Sequence, residues 1–202
     1  MHPFPCKGEG IFMSGRSLKK PPHIILLNGA GSVGKSAIAK ALQKITAAPF
    51  LHVEMDAFLT MMPERYWDDP DGLTFEIVLE DGNPSVVIRS GPVAERTFRG
   101  MRHAIAAMAR AGNNLIVDDV MLGDELTEYR ALLADFTLHV VGVFAPLDVL
   151  EARERERGDR LIGLARWQYE RVHQGKRYEL ELDASSATPV ECAEAIKSRF
   201  GL

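Results

Sequence analysis

The chain has 202 residues, 46% of them hydrophobic, and a formal net charge of −4, enough for one sizeable core without demanding two. The mild acidity argues against nucleic-acid or anionic-membrane partners, which normally require clustered Lys and Arg, and no apolar run approaches the roughly 20 residues of a membrane span. Cys6 and Cys192 lie far apart without paired spacing, which points to reduced thiols in a soluble cytoplasmic protein and not to a disulfide framework or zinc site.

Residues 1–22 mix Pro, Gly and Lys without periodicity and read as a poorly ordered leader, so the single domain is expected over 23–202. Ile24 to Leu27 form a short apolar run that predicts a buried strand. G-x-x-x-x-G-K-S follows at once, from Gly29 through Ala30, Gly31, Ser32, Val33 and Gly34 to Lys35 and Ser36. A helix with Ile38, Leu42 and Ile45 on one face begins there and runs to about Ala47. Strand, glycine-rich turn and helix in register are the context of a phosphate-binding loop. Its glycines let backbone N–H groups turn inward on phosphate oxygens, and the helix adds its positive end. Lys35, expected to face solvent, would reach the β- and γ-phosphates of a nucleoside triphosphate, and Ser36 would hold Mg²⁺.

A second strand is predicted from Phe50 to Met55, ending in Asp56, where ligands sit in open α/β sheets. Residues 57–91 are the least regular stretch, an excursion suited to covering an acceptor site, with two short strands around Asp81, Gly82 and Asn83. Within it Tyr66 and Trp67 could line an acceptor pocket or pin a loop. Pro92 opens a helix to about Ala111. Leu115–Val117 form a third strand tipped by Asp118-Asp119, of which Asp118 is favoured as the metal residue. Asp124 is placed to cap a short helix, Phe136–Phe144 read as a fourth strand, and a fifth runs from Tyr178 to Asp183 before a helix capped by Thr188 or Ser186. Strands alternating with helices predict a parallel sheet with helices on both faces.

Helix 147–160 carries Arg153, Arg155, Arg157 and Arg160 interleaved with Glu151, Glu154 and Glu156. One reading is a solvated face of i,i+4 ion pairs such as Glu151 with Arg155. The other is a lid over 153–163 that hinges near Gly158, binds nucleotide phosphates through Arg153 and meets the transferred phosphoryl group with Arg157 and Arg160. The six histidines show no metal spacing, and His23, His52 and His139 read as core or edge residues.

With these residues placed, the chain resembles the chloramphenicol phosphotransferase-like family of P-loop kinases. The resemblance rests on IILLNGAGSVGKS, PFLHVEMDAF, MARAGNNLIVDDVMLG, VGVFAPLDVLEARERERGDRLIGLA and VHQGKRYELELDASSATPVECAEAI. It implies an α/β, three-layer P-loop kinase-like sandwich with a five-stranded parallel sheet and a small lid. It also implies ATP-dependent phosphorylation of a hydroxyl on a small molecule, with Asp56 as the base. Gly31 stands where family members often have Ser, and the 60–99 region, which would choose the acceptor, departs from the antibiotic kinase pattern. Adenylylsulfate-, gluconate- or nucleoside-monophosphate-kinase-like activity is the runner-up. A GTPase-type switch lacks N-K-x-D, and its one D-x-x-G (Asp69–Gly72) falls in a turn. A homo-oligomer is compatible with this composition.

Overall fold

A computed structural model describes residues 21–158 and 161–202. All but the end of the expected leader, Cys6 and Arg160 therefore lie outside the described residues. Five parallel strands, β1 (His23–Asn28), β2 (Phe50–Glu54), β5 (Asn114–Asp119), β6 (Thr137–Phe144) and β7 (Leu180–Asp183), form a sheet in the order β2-β5-β1-β6-β7. Strands this apolar must be covered on both faces. Side-chain alternation divides them cleanly between two cores.

Ile25, Leu27, Ile116, Val141 and Val143 point to one face, where they meet Ile38 and Leu42 of α1 (Lys35–Ile45) and Cys192 and Ile196 of α7 (Pro189–Phe200). Ile24, Leu26, Leu115 and Val117 point to the other, against Met101, Ile105 and Ala109 of α3 (Pro92–Arg110) and Leu126 and Tyr129 of α4 (Glu125–Leu132). Each fully buried aliphatic side chain contributes about 1.5–3 kcal/mol by leaving water. The predicted three-layer sandwich is the observed one.

Several boundaries differ from expectation. β2 ends at Glu54, so Asp56 sits in the first turn of α2 (Met55–Leu59) and not at a strand tip. α1 stops at Ile45, and Asp124 occupies the N-cap of α4 without a side-chain capping bond. Of the two candidate caps for α7, Thr188 is used: its hydroxyl accepts from Glu191 N–H at 3.3 Å, while Glu191 accepts from Thr188 N–H at 2.7 Å, a reciprocal capping box.

The irregular-looking excursion is an ordered antiparallel hairpin, β3 (Leu73–Glu80) with β4 (Asn83–Ser90). Asp81 (φ 51°) and Gly82 (φ 77°) form its two-residue turn, with the paired positive φ that matches strand twist in tight hairpins. Its base packs Leu73 against Met62 and Ala94, with Tyr66 beside them, and Trp67 stacks on Phe75 at 6.3 Å. These contacts tie Tyr66 and Trp67 to the base of the hairpin, with Trp67 still 39% exposed. Toward its tip, Val86 N–H donates to Gly163 O at 3.0 Å and Arg171 pairs with Glu80 at 3.0 Å, which joins the hairpin to the segment around α6 (Leu164–Tyr169).

Candidate active site

The strand-loop-helix motif gathers the site at the carboxyl edge of the sheet. Gly29 follows β1 where the chain passes under β6: a Cβ there would lie 2.5 Å from Val143 O, so no side chain fits. Gly34, at φ 106°, turns the loop into α1 through a conformation that L side chains rarely adopt. Ser32 also lies in the left-handed region (φ 63°), and its buried hydroxyl has no hydrogen-bond partner among the described residues. An orphaned hydroxyl inside a glycine-rich cradle fits a loop shaped for phosphate oxygens.

Lys35 is 6% exposed, not the solvent-facing residue expected; its ammonium donates to Gly29 O at 2.8 Å and Ala30 O at 3.1 Å and lies 3.6 Å from Asp118 Oδ1. Ser36 Oγ donates to Asp118 Oδ2 at 2.6 Å. Burial pushes the Asp118 carboxyl up, but Lys35, His52 and the Ser36 hydroxyl together outweigh it and hold the group below the usual carboxylate range. A dominant desolvation cost overcome by charge and hydrogen bonds marks a carboxylate held ionised.

Strand period separates the two adjacent aspartates. Asp118 shares the face of Ile116 and looks toward α1 and the loop, whereas Asp119 turns to the opposite core. There Asp119 accepts from Tyr129 Oη at 2.7 Å and from Val120 N–H at 2.7 Å, and burial raises its pKa. Asp119 thus fastens α4 to the sheet. Ser36 and Asp118 are the pair that could hold a cation.

A cavity of about 630 Å³ opens over this pair, lined by Gly31, Ser32, Lys35, Asp56, Arg153 and Arg157 among others. The loop, both predicted cation residues, Asp56 and two arginines are therefore brought together, while Arg160 lies outside the described residues. Asp56 is exposed to that space.

The charged helix α5 (Leu147–Arg157) is neither a plain solvated face nor wholly a set of phosphate ligands. Arg153 donates to Val33 O at 3.2 Å and Ala184 O at 2.8 Å, bracing the phosphate loop against the turn after β7. Glu151 pairs with Arg166 of α6, not with Arg155 as spacing suggested. Glu154, 1% exposed, accepts from the N–H groups of Gly163 and Ala165, both at 2.8 Å, and so holds the start of α6. Gly158 (φ 67°) ends α5, α6 begins at Leu164, and a 3₁₀ turn over Arg171–His173 follows it.

Sequence reasoning missed three polar residues. Buried Gln168 accepts from Gly31 N–H at 2.7 Å. Asn28, fully buried, donates to Val172 O and Tyr178 Oη and accepts from Met121 N–H, each at 2.8 Å. His52, expected to be only a core or edge residue, lies with Glu54 and Asp118. The partners of Gln168 and Asn28 come from distant segments, as does Asp118 for His52, so local spacing does not announce them; Asn28, a polar residue closing an apolar strand just before the loop, and the His52-x-Glu54 pair on β2 carried the visible signals.

Such a loop, its acidic strand tip and this sheet order define a P-loop phosphotransferase of the kinase type. The chain belongs to the chloramphenicol phosphotransferase-like protein family, whose pattern it matches over residues 22–201. It is 32% identical, over 173 residues, to two Mycobacterium tuberculosis proteins named as O-phosphotransferases, from strains CDC 1551 / Oshkosh and ATCC 25618 / H37Rv, an overlap of 83% of this chain and 76% of theirs. Among solved structures, the Mycobacterium tuberculosis APS kinase CysC in complex with AMPPNP and APS shares the fold (TM-score 0.63, 14% identity, covering 91% of this chain and 99% of that one). So does the Deinococcus radiodurans tunicamycin resistance protein (TM-score 0.62, 19% identity, 90% and 96% covered). A gluconokinase from Sinorhizobium meliloti 1021 is similar too (TM-score 0.58, 18% identity, 90% and 94% covered). Among the described residues no helix is long and apolar enough to cross a membrane.

Proposed function

We propose that the enzyme transfers the γ-phosphoryl group of ATP to a hydroxyl of a small molecule. The observation that carries this reading is the Ser36–Asp118 hydrogen bond beside Lys35, at the floor of a cavity that Asp56 and Arg157 also line. The orphaned Ser32 hydroxyl and the ionised Asp118 fit a triphosphate and a divalent cation. Ser36 and Asp118 would hold Mg²⁺, which neutralises charge on the phosphate oxygens when bound.

In this reading Lys35 exchanges its two loop carbonyls for phosphate oxygens as nucleotide enters. Asp56 accepts a hydrogen bond from the acceptor hydroxyl and takes its proton as the new O–P bond forms and the bond to the β-phosphate oxygen breaks. Arg157 stabilises the charge that develops on the moving group, with Arg160 as the second candidate, while Arg153 keeps the loop in shape.

The acceptor in this reading is a small hydroxylated compound. The hairpin is the part that would select it. A thermal-shift screen of hydroxylated metabolites and antibiotics, with Mg²⁺ and a non-hydrolysable ATP analogue, should find compounds that raise the melting temperature further than nucleotide alone. Any hit should then be phosphorylated when ATP replaces the analogue. A chain that binds no adenine nucleotide overturns the reading.

A further inference from the structure

β2 and β5 run parallel with Glu54 opposite Asp118 and His52 opposite Ile116. Residues two apart on a strand share a face, so His52, Glu54 and Asp118 all project to the α1 side of the sheet. One ligand atom from each lies within 4.8 Å of the others.

His52 is the unexplained member. Its side chain is 9% exposed, and Nε2 is buried without a hydrogen-bond partner. Nδ1 lies 3.6 Å from Glu54 Oε1 and Nε2 lies 3.8 Å from Asp118 Oδ2, both beyond hydrogen-bond reach. Burying an imidazole nitrogen unpaired is costly, and a cation shared with the two carboxylates removes the cost. Ligand atoms on one ion at bonds of about 2.0–2.2 Å lie roughly 3–4.2 Å apart, so rotations of the carboxylates and of the imidazole that present one of its nitrogens would close the set.

We propose that His52, Glu54 and Asp118 form a divalent-cation site that favours a first-row transition ion such as Mn²⁺ over Mg²⁺. Imidazole suits transition ions and is a poor ligand for Mg²⁺, whereas the two carboxylates serve both. Lys35, 3.6 Å from the same Asp118 carboxylate, competes with the ion until phosphates draw the ammonium away. The ion's use in phosphoryl transfer rests on the proposed kinase reading; its binding does not.

The test is pulsed electron paramagnetic resonance on the full chain loaded with Mn²⁺, with and without ADP. The wild type should show a directly coordinated nitrogen, with the ion held more tightly when ADP is present. His52→Asn should lose that coupling and weaken Mn²⁺ binding by at least the roughly tenfold that removing even an outer-shell partner costs, with a smaller change for Mg²⁺. Glu54→Gln should weaken Mn²⁺ while keeping the nitrogen signal. A wild-type spectrum without nitrogen coupling overturns the proposal whether or not the variants fold, as does a His52→Asn protein that retains it. A chain that binds Mn²⁺ through His52 but transfers no phosphoryl group overturns the kinase reading alone.

Discussion

Gln168 Oε1 accepts a 2.7 Å hydrogen bond from the Gly31 amide, so α6 grips the phosphate loop from 137 positions away. Both groups are buried, and cutting the side chain back strands the amide. Gln168→Ala should cost about 1–3 kcal/mol, the usual penalty of an unsatisfied buried donor. Thermal unfolding reads this as a drop of roughly 2–4 °C per kcal/mol for a chain of this size. An unchanged melting temperature would show that water or a neighbour replaces the contact.

Glu154 carries two such bonds. Glu154→Ala leaves the amides of Gly163 and Ala165 without their acceptor, and should speed hydrogen exchange at both before it affects the rest of the fold. Glu154→Gln, which keeps one carbonyl oxygen, should lie between. Exchange rates at those amides that match wild type in Glu154→Ala would remove the staple from the account.

Asp56 is the proposed base. Asn preserves its size and can still orient a hydroxyl, but it cannot take the proton, so Asp56→Asn should lower kcat by about 10²–10⁴ with nucleotide affinity nearly unchanged. The N-cap of α2 is Glu54, so a helix-capping role for Asp56 does not compete with this expectation. Near-normal turnover with an identified acceptor rejects it as the base.

His173 gives a pH signature. Burial lowers its pKa from 6.5 to about 4, with Lys176 and Lys35 adding to the shift; it lies 2.7 Å from Tyr178 Oη and stacks 3.8 Å from Phe144. The neutral ring accepts the tyrosine hydrogen. Because the folded pKa lies below the unfolded one, this contribution is complete above about pH 6.5 and is lost as pH falls toward about 4. The ring is only half-buried, so solvent screening reduces the effect to about 1 kcal/mol. His173→Asn keeps an acceptor but not the titration, and its melting temperature should gain on wild type between pH 7 and 4.5. A constant gap would show that folding does not shift the His173 pKa.

The parallel sheet and the phosphate loop were legible because their signals are local: apolar runs, a fixed motif spacing, prolines and glycines at element ends. Asp118 could be preferred over Asp119 but not separated from it, since that choice depends on which face the strand turns to α1. The burial of Glu154 was not legible because Arg153, Arg155 and Glu156 make its surroundings a charged run in sequence, and only the return of α6 buries it. The two strands of the hairpin were legible around Asp81-Gly82, but their extent was not, because Glu76 and Glu80 interrupt the apolar pattern on a ribbon that packs at its base and along α6. His52 and Glu54 stand two apart on β2, a spacing visible in the sequence, but Asp118 joins them only through strand register.

The Val86–Gly163 and Glu80–Arg171 contacts give the hairpin a mechanical partner. In the proposed reading the hairpin that selects the acceptor is tied to α6, so the two would form one exchangeable cassette. A chimera that imports β3 and β4 from a relative without α6 should unfold at lower temperature and lose coupling between acceptor and nucleotide binding, whereas grafting residues 73–90 together with 158–171 should carry acceptor preference across intact.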